Sequence, residues 1–232
     1  MKTETLLERE SASLGRRSFL RYAGAGLAGV GILAAGACKK DEPGDQYNSG
    51  AIDIGAQSDF AILNYAYALE QLEAAFYTQV AANMYTGATA DEVALLTDIR
   101  DHEIAHREFF KAALGSKALQ ALTPDFTAVN FTSKASVLAT AQAFEDLGVS
   151  AYNGVGYMIK SADYLTLAGK IVSVEARHAA YIRNLLNPGS FADSTILDGF
   201  GMDKVSTIPV VLKTANTFLK TKVSASAYGY TA

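Results

Sequence analysis

The sequence predicts an all-α fold: a four-helix bundle, up-down with one long crossover, followed by a short C-terminal extension. Two observations lead there. No proline falls in residues 58–114 or 134–187, and proline inside a helix costs about 3 kcal/mol. Both stretches are rich in Ala, Leu and Glu, with apolar residues recurring at a period near 3.6. At 232 residues and 50% hydrophobic content, the chain can bury a core without cross-links. Its composition is too apolar for disorder. A single cysteine excludes an internal disulfide framework, a multi-cysteine zinc site and a rubredoxin-type iron centre. The formal net charge of −4 gives no basic footprint for nucleic acid.

Residues 1–37 read as a targeting segment and stand apart from the fold. Arg16-Arg17 precedes Ser18-Phe19-Leu20-Arg21, and a Gly- and Ala-rich apolar run then ends at Cys38. This pattern resembles a twin-arginine export signal. The run is too short and too rich in Gly for a stable membrane span, which needs about 20 strongly apolar residues. Ala35-Gly36-Ala37 fits a signal-peptidase site, and with Cys38 it also resembles a lipobox. The expectation is therefore an exported protein of the periplasm or cell envelope, held to the membrane by a lipid on Cys38. The alternative is a released periplasmic protein with an inert Cys38. Residues 38–57 are polar, with Gly and Pro, and read as a tether.

The bundle proper is expected over 58–187. The first helix spans about 58–84, with Ser58 as N-cap. The second spans about 90–114, with Thr89 or Ala90 before the acidic turn Asp91-Glu92, and Gly115 as its stop. A crossover over 115–133 contains Pro124. The third helix spans about 134–161, behind Ser133 or Thr132, and the fourth about 164–187, ending at Asn187-Pro188-Gly189. Residues 188–232 form an extension of unassigned role with one short helix near 208–220.

Chemistry emerges from the inward stripe of each helix, read at alternating spacings of three and four. The first gives Leu63, Ala66, Glu70, Glu73, Tyr77, Val80, and the second Leu96, Ile99, Glu103, His106, Phe110, Ala113. The third gives Leu138, Ala141, Glu145, Gly148, Tyr152, Val155, Ile159, and the fourth Ala168, Ile171, Glu175, His178, Ile182, Leu185. Each apolar stripe is interrupted at a similar depth by acid, or by acid plus histidine. A buried carboxylate is costly unless it is paired or binds metal. The halves also repeat. Glu70/Tyr77 and Glu145/Tyr152 share a spacing of seven, and Glu103-Ile104-Ala105-His106 and Glu175-Ala176-Arg177-His178 are both Glu-x-x-His. A lone Glu-x-x-His is weak; two copies on inward stripes, each preceded by a helix with an inward Glu, fit a carboxylate-bridged dimetal site in a four-helix bundle. A metal-free acidic network is the competing reading, and it has no Lys or Arg on the stripes to balance it.

Residues 58–187 resemble the ferritin-like superfamily of bacterioferritins, ferritins and rubrerythrins. The segments LNYAYALEQLEAAFY, AFEDLGVSAYNGV and VEARHAAYIRNLL are similar to the ferritin-like domain of plant desiccation-related proteins and many exported bacterial proteins. The resemblance implies Glu70 and Glu145 as terminal and bridging-type carboxylates, with Glu103, His106, Glu175 and His178 completing six metal ligands. Tyr77 and Tyr152 match the tyrosines that stand behind the ligands in that family. Glu73 departs from the pattern, facing Gly148 across the repeat; it is a seventh ligand, a proton relay, a residue filling the space beside Gly148, or turned to solvent. His102 sits off the stripe, at the surface or behind the ligands, and its removal is expected to leave metal binding intact. Gly148, Gly154 and Gly156 are expected to allow close helix packing, with a distorted turn that opens the site to substrate as the alternative.

Four carboxylates and two imidazoles suit iron or manganese. The expected cofactors are two iron ions, with manganese as the variant, and the expected partners are metal ions with dioxygen or peroxide. A ferroxidase or peroxidase is the enzymatic reading, with a manganese catalase-like site as its variant. A non-enzymatic metal-binding or stress-protection protein of the envelope is the alternative.

Overall fold

In a computed structural model the structure describes residues 50–232. The twin-arginine pattern, Cys38 and residues 38–49 of the expected tether lie outside them. Four long helices, α1 (Asp59–Ala82), α2 (Ala90–Leu114), α3 (Lys134–Val155) and α4 (Ala162–Leu186), form the bundle. A short α5 (Ile208–Ala215) follows, and two short strands, β1 (Ile52–Asp53) and β2 (Val223–Ser224), pair in parallel. Helix α1 packs chiefly on α2, and α3 on α4, while α5 lies against α3 and α1. Among the described residues no helix is long and apolar enough to cross a membrane.

The helix starts are set by side chains that accept orphan backbone N–H groups. Ser58 accepts from Ala61, Ser133 from Ser136, and Ser161 from Tyr164. Thr89 and Glu92 form a reciprocal capping box. Glu92 also pairs with Lys134, tying the start of α2 to the start of α3. Gly115 ends α2 at φ 55°, a left-handed conformation that a side chain would strain.

Helix α3 is shorter than its expected span of 134–161. It gives way at Gly156–Met158 to a 3₁₀ turn, and the chain then bends so that Asp59 accepts the N–H groups of Lys160 and Ser161. The expected helix over 208–220 likewise ends at Ala215 and tightens into a 3₁₀ turn over Asn216–Phe218.

Every residue from Ala61 to Glu70 is buried, so this half of α1 is covered on all sides. Part of the cover is the C-terminal extension. Val211, Leu212, Leu219 and Val223 are each 0–1% exposed and belong to the main core. Phe218 packs edge-on against Phe144 at 4.7 Å, and Phe144 meets Phe76 at 5.1 Å. The extension also pairs with the crossover, where Asp125 N–H donates to Phe218 O and Lys220 N–H to Thr123 O. Residues 50–57, read as tether from their polarity, are held by the tail. Ile52 aligns with Val223, Ile54 is buried, and the Ser226 N–H donates to Asp53. Arg183, buried near the end of α4, donates to Asp146, Asp193, Thr195 and the Ser190 carbonyl, fixing the chain as it leaves the bundle.

Candidate metal centre

Glu70 on α1, Glu103 on α2, Glu145 on α3 and Glu175 on α4 are all fully buried, at one level of the bundle. His178 is buried, and the His106 side chain is 13% exposed. Both imidazoles turn Nδ1 inward. His106 Nδ1 lies 2.8 Å from Glu175, 3.4 Å from Glu70 and 3.7 Å from Glu103. His178 Nδ1 lies 2.9 Å from Glu103, 3.5 Å from Glu145 and 3.7 Å from Glu175. The i,i+3 spacing within each motif places its two donors side by side.

The six residues form two overlapping groups: Glu70, Glu103, His106 and Glu175, and Glu103, Glu145, Glu175 and His178. Donor atoms within each group lie within 4.8 Å of one another. Glu103 and Glu175 belong to both groups, so the shared carboxylates come from the two Glu-x-x-His motifs. Glu70 and Glu145 each belong to one group. The inward oxygens of all four glutamates and both Nδ1 atoms have close neighbours but no hydrogen bond of acceptable geometry. Buried polar atoms are rarely left so. Eight converging, unsatisfied donor atoms of this type fit a pair of metal ions.

The electrostatics say the same. Burial pushes the Glu70 carboxyl well above its usual range, and the neighbouring Glu175 and Glu103 push it further. Glu145 rises to about 8, mainly by burial. Burial opposes charge on His106 and His178, but Glu103 and the surrounding carboxylates override it and raise both to about 12. Glu103, despite burial, is lowered to about 2 by those two imidazoles. Protons thus gather where metal charge would otherwise be needed.

Tyr77 and Tyr152 cross the repeat. The Tyr77 hydroxyl donates to Glu145 at 2.5 Å, and that of Tyr152 donates to Glu70. Each holds the outer oxygen of a carboxylate whose inner oxygen faces the centre. Glu73 is 4% exposed, which removes the solvent-facing reading. It lies outside both donor groups and beside Gly148, where a Cβ would come within 3.1 Å of its Oε1. Burial and the four glutamates hold its carboxyl well above the usual range.

This arrangement has a family. Residues 58–188 match the profile of the ferritin-like domain. The chain belongs to the ferritin-like domain family. No curated protein matches the chain. Within this ferritin-like bundle, one further histidine touches the donor set. His102, expected at the surface or behind the ligands, is exposed yet contacts His178 directly. Its i,i+4 spacing to His106 was the available signal, because it places the two on one side of α2.

Proposed function

We propose that this protein is an exported, lipid-anchored ferritin-like protein whose six ligand residues hold two iron ions that react with dioxygen or peroxide, in the manner of a ferroxidase or peroxidase. The observation that carries the metal reading is the set of eight inward donor atoms divided into two groups that share Glu103 and Glu175. Four carboxylates and two imidazoles favour iron or manganese over metals that prefer thiolates. Bound iron would supply the electrons that reduce the oxidant. Export rests on Arg16-Arg17 and the following apolar run, and anchoring on Cys38.

The chain's own residues have distinct tasks. Glu103 and Glu175, common to both donor groups, would be shared between the two ions. Glu70 with His106, and Glu145 with His178, close the two outer sides. Tyr152 and Tyr77 restrain Glu70 and Glu145 by donating to their outer oxygens. Glu73 holds a proton on its carboxyl beside the site, one it would release inward as the oxidant takes up electrons. The surrounding apolar residues exclude water.

The test is anaerobic loading with ferrous ion, then exposure to air or peroxide, with optical and oxidant-consumption readouts. Two ions bound per chain with oxidation on mixing support the reading. Two ions bound without reaction leave a structural metal site in an envelope protein. Manganese in protein purified from its native envelope favours the catalase-like variant.

A further inference from the structure

The six proposed ligands match between the two halves of the centre, which differ beside them at Glu73 and Gly148 and behind the histidines. His102 Nδ1 lies 2.9 Å from His178 Nε2. The ring planes differ by 6° and the centroids are 5.2 Å apart. Imidazoles stacked face to face would sit closer, centre to centre. Rings joined nitrogen to nitrogen in one plane have this separation, so the contact is an in-plane N–H···N hydrogen bond. His178 turns its other nitrogen, Nδ1, to Glu103, Glu145 and Glu175. A nitrogen facing a metal must be unprotonated, which puts the ring proton on Nε2 and makes His102 Nδ1 its acceptor.

His106 has no equivalent. The residue preceding Glu175, as His102 precedes Glu103, is Val174, whose side chain accepts nothing. Among the described residues no hydrogen-bond partner meets His106 Nε2. An acceptor behind a metal-bound imidazole fixes its tautomer and ring orientation and raises its basicity; removing such a partner typically weakens metal binding about 10–100-fold.

We infer that His102 is a positioning residue that locks His178, so that two metal positions built from matching ligands differ in affinity, with the Glu145/His178 position the tighter. The inference rests on the dimetal reading above. It accounts for a histidine on an exposed surface whose ring is aligned with one buried ligand and not the other.

Titration of the full-length, metal-depleted protein with Co(II), followed through its visible absorption, tests the difference. The wild-type protein should bind in two resolved steps. His102→Ala should weaken the tighter step about 10–100-fold and leave the other nearly unchanged. His102→Asn, whose Oδ1 falls where Nδ1 was, should restore the step, which a general loss of packing would not allow. Equal steps in the wild type, equal weakening of both in His102→Ala, or failure of His102→Asn to rescue would overturn the inference. A second measurement needs no metal: a nitrogen–nitrogen scalar coupling across the His178–His102 hydrogen bond should appear in the ¹⁵N-labelled depleted protein. Its absence overturns the inference even if cobalt binds. No cobalt binding by the wild type, with the coupling present, overturns the dimetal reading instead.

Discussion

At His106 and His178 the stabilising charge balance and the proposed function meet in one side chain. Each imidazole faces three carboxylates, and each is the sole nitrogen donor of its group. His106→Ala and His178→Ala should each leave the protein with about one ion fewer, measured by metal analysis after ferrous loading, and without ferrous oxidation. Full metal content in both variants would remove them from the ligand set. Glu73→Gln separates two roles: metal retained with activity lost marks a proton relay, and metal lost marks a ligand. The same groups set a pH dependence. His106 and His178 are raised to about 12, so their contribution to stability is complete below the unfolded value near 6.5 and is lost as pH rises toward 12. Glu145, raised to about 8, keeps a proton that the unfolded chain releases near 4.5, and this also favours folding at lower pH. Glu103, lowered to about 2, acts oppositely, its contribution fading only as pH falls below about 4.5. Metal-depleted protein should therefore lose stability from pH 5 to 8, whereas metal, which replaces those protons, should flatten or reverse the trend. Urea midpoints at three pH values decide it; a midpoint that rises with pH in depleted protein contradicts the assignment.

At the scale of the helix, the stripes were readable because a period of 3.6 acts locally and each inward acid is conspicuous among apolar neighbours. The glycines in and just after α3 were not, because their reasons lie on other elements. All three could be read as close helix contacts, yet they differ. Gly148 leaves room for the Glu73 carboxylate. Gly154 meets the extension: a Cβ there would lie 1.9 Å from the Ser206 carbonyl oxygen, where Ser206 N–H donates to Ser150 O. Gly156 would bring a Cβ only to 3.9 Å from Leu165 Cδ1. Gly154→Ala should thus cost about 1–3 kcal/mol, because backbone rather than a flexible side chain must move. Gly156→Ala should be near neutral, as its φ of −52° suits alanine. Chemical denaturation of the two variants checks the contrast, and equal effects would show that the extension yields freely at Ser206. The end of α3 is similarly hidden in the sequence, because the apolar run Tyr157-Met158-Ile159 continues past Val155 without a proline, while the bend is set by Asp59, about a hundred residues away in the chain.

Across the whole molecule, the boundary that sequence pattern suggests is not the boundary that packing requires. The ferritin-like match ends at residue 188, and the bundle with its donors lies within it. The core does not end there. Val211, Leu212, Leu219 and Val223 from the extension are fully buried beside α1 and α3. Nothing in residues 188–232 announces this beforehand: α5 is too short for a strong periodic signal, and β2 consists of two residues paired to β1 from the opposite end of the described chain. Burying a side chain of this kind contributes about 1.5–3 kcal/mol. The four together contribute roughly 6–12 kcal/mol, comparable to the 5–15 kcal/mol that separates a typical folded domain from its unfolded chain. A chain ending at residue 206 would therefore keep every proposed ligand and lose most of its net stability. It should show no cooperative urea transition without metal, and metal should restore folding only in part, because binding energy offsets but does not replace the missing core. Shortening by the last two residues, Thr231 and Ala232, both exposed, removes one hydrogen bond, from the Ala232 N–H to Ser224 Oγ, and should keep the transition cooperative with stability lowered by about 1 kcal/mol at most. A cooperative, wild-type-like transition in the chain ending at 206 would show that the four helices stand alone and that the extension merely rests on them.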